Sequence, residues 1–78
     1  MKEVIIWSRL GCPACRYAKM FFMEKKFFYE ERVIGDGWTQ QDFNEAVPNA
    51  RSVPQIFIDG NHIGGYTDLL EYSRTNKL

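Results

Sequence analysis

The residues of this chain that could do chemistry are two cysteines, Cys12 and Cys15, and they are the only cysteines among its 78 residues. A Cys-x-x-Cys pair that follows an apolar run and opens a helical pattern is typical of a thiol–disulfide site. A thiol must lose its proton to act as a nucleophile, and an unperturbed cysteine does so only weakly near neutral pH. The surrounding sequence therefore has to stabilise a thiolate.

Two features next to Cys12 favour its thiolate. Cys12 lies at the start of the predicted helix, where unpaired N–H groups and the helix dipole favour an anion. Arg9 adds positive charge three residues upstream. Cys15 follows one helical turn later, on the inner side, and can form a disulfide with Cys12 after a rotamer change. We predict that Cys12 is the attacking thiolate and Cys15 the resolving thiol.

The pair has two other possible interpretations besides the redox role. The cysteines could form half of a zinc site, but such a site needs four ligands and His62 is the only histidine. They could also be inert core residues, which a Cys-Pro-x-Cys at a strand-to-helix turn argues against. We therefore favour a redox site and expect no metal.

The elements that position the cysteines follow from hydrophobic patterning. The continuously apolar residues 4–7 indicate a buried strand, and Pro13 suits the first position of a helix. Thr39 and Asp42 resemble a capping box, and Asp59-Gly60 indicates a hairpin. The predicted elements are strand 4–7, helix 13–26, strand 27–34, a helix from Thr39 that stops before Pro48, strand 55–58, strand 61–63, and a helix from Thr67 that frays over residues 76–78.

The predicted order β-α-β-α-β-β-α is that of an α/β fold. A strand–helix–strand unit implies parallel strands and a right-handed connection, and the hairpin adds an antiparallel pair. We predict a four-stranded mixed sheet flanked by three helices, with residues 1–78 as a single domain. A core this small needs dense apolar packing, which a hydrophobic content of 45% supplies.

Composition excludes several function classes. Ten basic and ten acidic residues give a formal net charge of zero, which argues against a nucleic-acid or anionic-membrane binder. No stretch approaches the roughly 20 apolar residues that span a bilayer, and we expect no signal peptide because residues 1–3 lead directly into a strand. Two closely spaced cysteines do not form a disulfide scaffold. We expect a cytoplasmic monomer.

Three separated motifs resemble those of the glutaredoxins: RLGCPAC at residues 9–15, SVPQIFI at 52–58 and HIGGYTDL at 62–69. The likeness covers nearly the whole chain in order, and residues 31–49 match least. It implies a thioredoxin-like (glutaredoxin) fold. It also implies a glutathione-dependent oxidoreductase that reduces protein disulfides and glutathione mixed disulfides, with a ribonucleotide reductase among the recipients of its electrons.

The resemblance also implies a groove for glutathione, the reducing co-substrate. Pro54 would be in the cis form, and Val53 would offer its backbone N–H and C=O to the cysteinyl part of glutathione, like an added strand. Thr67 and Asp68 would hold the γ-glutamyl end. From residue types alone, a trans proline on a sheet edge is favoured for Pro54, and a helix N-cap is the default interpretation of Thr67-Asp68.

The remaining implied contacts are at the other end and wall of the groove. Arg9 would meet the glycine carboxylate, with Arg51 and Gln41 as weaker candidates, and Tyr66 would line the groove. Arg9 could instead be a solvated charge, and Tyr66 could be plain core. Many dithiol glutaredoxins have tyrosine where this chain has Ala14, so we expect an opener site and a weaker grip on glutathione.

Two alternatives to the leading function stay open at this point. The protein could be recharged by thioredoxin reductase rather than by glutathione, although Thr67-Asp68 argues against this. A dimer could instead hold an iron–sulfur cluster through Cys12 and glutathione. Cys15 argues against the cluster, because an intramolecular disulfide competes for Cys12.

Overall fold

The fold was obtained as a computed structural model, which describes residues 2–76 and 78. Its elements in chain order are β1 Val4–Ser8, α1 Pro13–Glu24, β2 Glu30–Ile34, β3 Gly37–Trp38, α2 Gln40–Ala46, β4 Gln55–Ile58, β5 Asn61–Gly64 and α3 Tyr66–Asn76. The predicted α/β architecture, with a mixed sheet and three helices, is confirmed. The sheet has five strands rather than the predicted four.

The strand order β3-β2-β1-β4-β5 places β1 at the centre of the sheet. Strand β1 runs parallel to β2 and antiparallel to β4, and β4 pairs with β5 in an antiparallel hairpin. Trp7, near the end of β1, is paired with Gln55 at the start of β4. The loop that follows β1 and the loop that precedes β4 therefore meet beyond the same ends of these two neighbouring strands.

The additional strand β3 lies in the segment that the sequence indicated only as a break. Gly35 and Gly37 adopt φ values of 93° and 95°, a region that glycine enters without steric cost. This allows a tight turn in which the Gly35 N–H donates to the Trp38 carbonyl at 2.7 Å. The segment consequently loops round so that β3 pairs in parallel with β2 and adds two residues to the sheet edge.

The predicted boundary between α1 and β2 was wrong by several residues. Lys26 has a φ of 62°, and its N–H donates to the Met23 carbonyl at 3.0 Å. The Phe27 N–H reaches back to the Phe22 carbonyl at 2.9 Å. These two bonds form a Schellman motif, which ends α1 at Glu24 and delays β2 to Glu30.

The sheet carries a hydrophobic cluster on each face. Successive residues of a strand point to opposite faces, so Ile6 packs beneath α1 and α3 while Trp7 packs beneath α2. The first cluster consists of Val4, Ile6, Ala18, Phe22, Ile56, Ile58 and Leu69. The second consists of Trp7, Ile34, Phe43 and Val47. Burial of these side chains fixes the helices on both faces.

The predicted fraying of residues 76–78 is only partly open to comparison with the structure. Helix α3 continues to Asn76, and Leu78 packs against the first cluster. Packing of that leucine favours an ordered end over a frayed one at these two positions. Lys77 lies outside the described residues.

Candidate active site

The two cysteines lie where β1 passes into α1. Gly11 has a φ of 77°, which permits the sharp turn between the two elements. Cys12 is the N-cap of α1, and its Sγ accepts the Cys15 backbone N–H at 3.1 Å. The structure joins Cys12 to Cys15 in a disulfide, with a Cα–Cα distance of 5.3 Å. The site is thus described in its oxidised form.

Exposure distinguishes the two sulfur-bearing residues. Cys15 is 2% exposed, whereas Cys12 is only half-buried. An incoming disulfide has to approach the nucleophilic sulfur directly, so this asymmetry favours Cys12 as the attacking residue. The first turn of α1 contains no acidic residue, and the positive end of the helix dipole therefore acts on Cys12 without a competing carboxylate.

A polar network fixes the end of β1 below the dithiol loop. The buried Ser8 donates its hydroxyl to Glu31 Oε2 at 2.7 Å, and Lys19 Nζ lies 3.0 Å from the same oxygen. Burial alone would raise the pKa of Glu31, but the hydrogen bonds from Ser8 and Lys19 and the Lys19 charge together lower it. The carboxylate form of Glu31 thus ties β1, β2 and α1 together.

Val53 and Pro54 lie directly across from Cys12. The Val53–Pro54 peptide bond is cis, as the resemblance predicted. Cys12 Sγ lies 3.8 Å from the Val53 carbonyl oxygen. The antiparallel pairing of β1 with β4 produces this approach, because each loop lies immediately outside a paired strand end. The backbone of Val53 is therefore placed where a ligand bound to Cys12 must pass.

A groove of about 760 Å³ extends from this point along the sheet edge. That volume lies within the range of small-molecule sites. Ala14 lines it on the α1 side, and the rest of its wall comes from residues 46–50, 52–55 and 62–68. The groove is thus large enough for a tripeptide-sized ligand beside the dithiol.

The start of α3 forms the far wall of the groove. Asp68 Oδ2 accepts the Gly65 N–H at 2.9 Å, and both Thr67 and Asp68 are exposed. Gly64 has a φ of 120°, and a Cβ at this position would lie 2.8 Å from the Asp68 Cγ. Tyr66 also lines the groove, and its ring centroid lies 5.9 Å from that of Tyr17. The predicted Tyr66, Thr67 and Asp68 are therefore brought together.

The three predicted carboxylate-binding residues are placed differently. The exposed Arg9 donates to the side-chain oxygen of Gln40, and Gln41 donates to Glu45 at 3.3 Å along its own helix. Arg51 is exposed. Within residues 2–76 and 78, none of these three predicted residues contributes to the groove wall. Arg9 would have to leave Gln40 before it could meet a ligand carboxylate.

Two groove residues, Gln55 and His62, were not predicted as site residues. Gln55 is 8% exposed, and its Nε2 donates to the Ser52 carbonyl at 3.0 Å. His62 Nε2 lies 2.7 Å from Gln55 Oε1. The available signal in the sequence was a polar residue at the start of an apolar strand, since a buried amide needs partners.

The described residues form neither a metal-binding group nor a membrane-spanning helix. Among residues 2–76 and 78, no three histidine, cysteine, aspartate or glutamate side chains come together in a group that could hold a metal ion. In the same described part of the chain, every helix is too short or too polar to cross a membrane. The dithiol and its groove thus remain the strongest candidate site.

Comparison with known proteins establishes the family. The glutaredoxin family model matches residues 4–63, a range that contains both cysteines and the cis peptide. The chain belongs to the glutaredoxin family. Its Cys12–Cys15 pair has the Cys-x-x-Cys spacing typical of a thiol–disulfide site.

Curated relatives support the same assignment. Glutaredoxin-C8 from Oryza sativa is 38% identical over 81 residues, which cover 97% of this chain and 60% of that protein. Glutaredoxin 1 from Rickettsia bellii is 38% identical over 85 residues, which cover 100% of this chain and 84% of that protein. The chain therefore spans less than two thirds of the rice relative and most of the bacterial one.

Solved structures confirm the thioredoxin-like glutaredoxin fold. Glutaredoxin 1 from Francisella tularensis, solved with cacodylate, superposes with a TM-score of 0.81 at 34% identity, covering 95% of this chain and 94% of that one. A buckwheat glutaredoxin–glutathione complex superposes with a TM-score of 0.79 at 28% identity, covering 99% and 73%.

Proposed function

We propose that this protein is a glutathione-dependent oxidoreductase that reduces glutathione mixed disulfides and protein disulfides. The observation that carries the proposal is the groove that runs from Val53, whose carbonyl oxygen lies 3.8 Å from Cys12 Sγ, to Asp68. A peptide-like ligand in this groove would meet a thiol at one point, a free strand-like backbone in the middle and a carboxylate at the end. The buckwheat relative, which was solved with glutathione, supports glutathione as that ligand.

The reaction with a mixed disulfide takes two exchanges. The Cys12 thiolate attacks the glutathione sulfur, the bond to the partner sulfur breaks, and the partner leaves as a thiolate. A second glutathione thiolate then attacks the glutathione sulfur bound to Cys12. This releases glutathione disulfide and regenerates the Cys12 thiolate. One half of that disulfide comes from the substrate and the other from the incoming glutathione, so one glutathione thiol is consumed for each partner thiol released.

A protein disulfide needs the second cysteine. The Cys12 thiolate attacks one substrate sulfur, and the Cys15 thiolate then attacks Cys12 Sγ. The substrate leaves as a dithiol, and the product is the Cys12–Cys15 disulfide that the structure contains. Two glutathione molecules reduce that disulfide again, with glutathione disulfide as the product.

The groove residues have distinct proposed roles in holding glutathione. The Val53 backbone pairs with the cysteinyl part beside Pro54, and Tyr66 forms part of the wall. Thr67 and the amides at the start of α3 receive the γ-glutamyl carboxylate, and Asp68 receives its ammonium.

Arg9 is proposed to meet the glycine carboxylate after it exchanges its contact with Gln40. Ala14 leaves the entrance open where an aromatic side chain would narrow it.

The wider setting is part of the same proposal. We place the protein in the cytoplasm, where thiols are kept reduced, as a monomer whose residues 1–78 form one glutaredoxin domain. A ribonucleotide reductase is proposed as one recipient of its electrons, by analogy with the family.

The decisive test compares wild-type protein with the Asp68→Asn variant in glutathione-coupled reduction of a glutathione mixed disulfide. Asparagine retains an oxygen for the Gly65 N–H but loses the charge that would face the ammonium. We expect KM for the mixed disulfide to rise about tenfold, as for loss of a charge-assisted hydrogen bond.

Glu71→Gln is the matched control, because it removes one negative charge from an exposed position on the same helix. It should leave KM unchanged. An unchanged KM in Asp68→Asn would contradict the proposed role of Asp68. Faster turnover with thioredoxin reductase than with glutathione would contradict the proposed reductant.

A further inference from the structure

The buried amide of Gln55 has both of its polar ends engaged. Its Nε2 donates to the Ser52 carbonyl oxygen at 3.0 Å, and its Oε1 lies 2.7 Å from His62 Nε2. A carbonyl oxygen can only accept, so the contact with Ser52 fixes which end of the amide is nitrogen. The oxygen of Gln55 consequently faces His62.

This orientation determines the tautomer of His62. Because Gln55 Oε1 can only accept, His62 Nε2 must carry the hydrogen. Both the neutral Nε2–H ring and the protonated ring have that hydrogen, so the bond persists in either state. The ring also stacks on Phe57, with centroids 5.0 Å apart and planes 28° apart, and Phe57 packs against the second core cluster.

The hydrogen bond from Gln55 to the Ser52 carbonyl also constrains Val53, because that carbonyl belongs to the Ser52–Val53 peptide group. The Ser52–Val53 peptide bond is trans, and the atoms of a trans peptide lie in one plane with C=O and N–H pointing in opposite directions. Holding the Ser52 oxygen towards Gln55 therefore directs the Val53 N–H away from Gln55. The following Val53 carbonyl lies 3.8 Å from Cys12 Sγ.

We propose that His62 is a positioning residue of the dithiol site. Acting through Gln55, it holds the Ser52–Val53 peptide plane so that the Val53 N–H is presented to the peptide backbone of a ligand in the groove. The part of this inference that names the ligand rests on the proposed function, since that ligand is glutathione. His62 itself does not touch the reacting sulfur atoms in this arrangement.

The first test is the His62→Phe variant, which retains a ring against Phe57 and removes the N–H that Gln55 accepts. We expect KM for a glutathione mixed disulfide to rise about fivefold, the size of one lost hydrogen bond in a network. The single-turnover rate with a glutathione-free disulfide, bis(2-hydroxyethyl) disulfide, should stay unchanged. If the rise in KM were accompanied by a fall in the single-turnover rate with bis(2-hydroxyethyl) disulfide, His62 would have a general structural role and the proposal would be overturned.

Two further variants test whether the hydrogen bond itself is responsible. His62→Gln restores an N–H donor at a similar reach and should recover most of the wild-type KM. In a Gln55→Leu background, His62→Phe should cause no further rise, because the two residues act in one path. Failure of His62→Gln to recover KM, or additive effects of the two changes, would overturn the proposal.

A third measurement does not depend on glutathione. Long-range ¹H–¹⁵N spectra of the unliganded protein should show His62 as the Nε2–H tautomer, and His62→Phe should shift the amide resonance of Val53. An Nδ1–H tautomer, or an unmoved Val53 amide, would overturn the inference. Loss of all glutathione dependence in the wild-type protein would instead contradict the proposed function and leave these spectra interpretable.

Discussion

The first turns of α1 and α2 obey the same capping rule with different atoms. At α2, Thr39 Oγ1 accepts the Asp42 N–H at 3.0 Å, and Asp42 Oδ2 accepts the Thr39 N–H at 2.9 Å. At α1, Cys12 Sγ accepts the Cys15 N–H at 3.1 Å, and no acidic residue follows in the first turn. Oxygen atoms and a carboxylate therefore occupy one helix start, and a sulfur atom occupies the other.

The difference shows how one physical feature serves two purposes. A carboxylate in the first turn interacts with the positive end of the helix dipole. At α2 the hydrogen bonds from Thr39 to that carboxylate lower the pKa of Asp42, so the interaction stabilises the helix. At α1 the same positive end is left for Cys12, whose thiolate it will favour once the disulfide is reduced. A fully capped start thus supports the fold, whereas a start capped by cysteine is reactive.

The largest expected effect comes from Cys12→Ser, which separates capping from reactivity at α1. Serine is a preferred N-cap, so the thermal stability of the reduced protein should be retained. Reduction of a glutathione mixed disulfide should fall on the order of 10³-fold or more, because the nucleophile is lost. Single-turnover kinetics and thermal unfolding of both reduced proteins measure the two outcomes.

Cys15→Ser is the control for that variant. It should still exchange with the mixed disulfide but lose the reduction of protein disulfides, which needs the resolving thiol. Wild-type rates in Cys12→Ser would show that Cys12 is only a cap, and the contrast between α1 and α2 would disappear.

A smaller effect is expected from Gly64→Ala, which tests whether the start of α3 supports the fold, as that of α2 does, or forms part of the site, as that of α1 does. Asp68, in the first turn of α3, both accepts the Gly65 N–H and faces the groove. An added Cβ would lie 2.8 Å from the Asp68 Cγ, and a φ of 120° is unfavourable for alanine. The carboxylate should be displaced and KM for the mixed disulfide should rise about tenfold.

Gly65→Ala is the matched substitution, since its Cβ would meet the Pro54 carbonyl oxygen at an ordinary 3.6 Å. It should raise KM by clearly less than Gly64→Ala does. If Gly64→Ala lowers thermal stability but leaves KM at the wild-type value, Asp68 is a structural cap like Asp42.

The smallest effect is expected at α2. Thr39→Ala should lower the free energy of unfolding by ~1 kcal/mol, as for loss of an N-cap, and should leave both kcat and KM unchanged. Urea unfolding and the mixed-disulfide assay provide the measurements. A parallel loss of activity would show that α2 takes part in the reaction and would weaken the comparison.

The pH dependence of stability provides a related check at the same helix start. The folded pKa of Asp42 is lowered below its ordinary 3.8, so its stabilising contribution is complete above pH 3.8 and is lost as the pH falls through the folded pKa. Asp42→Asn should remove this component from a urea-unfolding series between neutral and acidic pH. An identical acid dependence in both proteins would contradict the assignment.

Local sequence patterns predicted most of the fold. The strands β1 and β4, the start of α1 at Pro13 and the Asp59-Gly60 hairpin depend on neighbouring residues, and all were predicted correctly. The missed strand β3 depends on the positive φ values of Gly35 and Gly37. Glycine allows such values without requiring them, so a break and a paired turn look the same in the sequence.

The site was predicted less completely than the fold. Cys12, Val53, Pro54 and Asp68 are where the motifs indicated, although their roles towards glutathione stay predictions. Gln55 and His62 were missed, because hydrogen bonding of a buried amide depends on which side chains the sheet register brings opposite it. Arg9 was expected at the groove and instead contacts Gln40, since a long exposed side chain is not fixed by its neighbours in sequence.

The sequence by itself determined the dithiol, the strand that precedes it and the helix that it caps, because these features involve residues within a few positions of one another. Only the tertiary structure decided what faces the dithiol. Cys12 and Val53 are 41 residues apart in the chain. The antiparallel register between β1 and β4 places Cys12 Sγ 3.8 Å from the Val53 carbonyl oxygen. Such a contact depends on the packing of both faces of the sheet, because a shift of one residue would exchange the side chains that face the two clusters, such as Ile6 and Trp7.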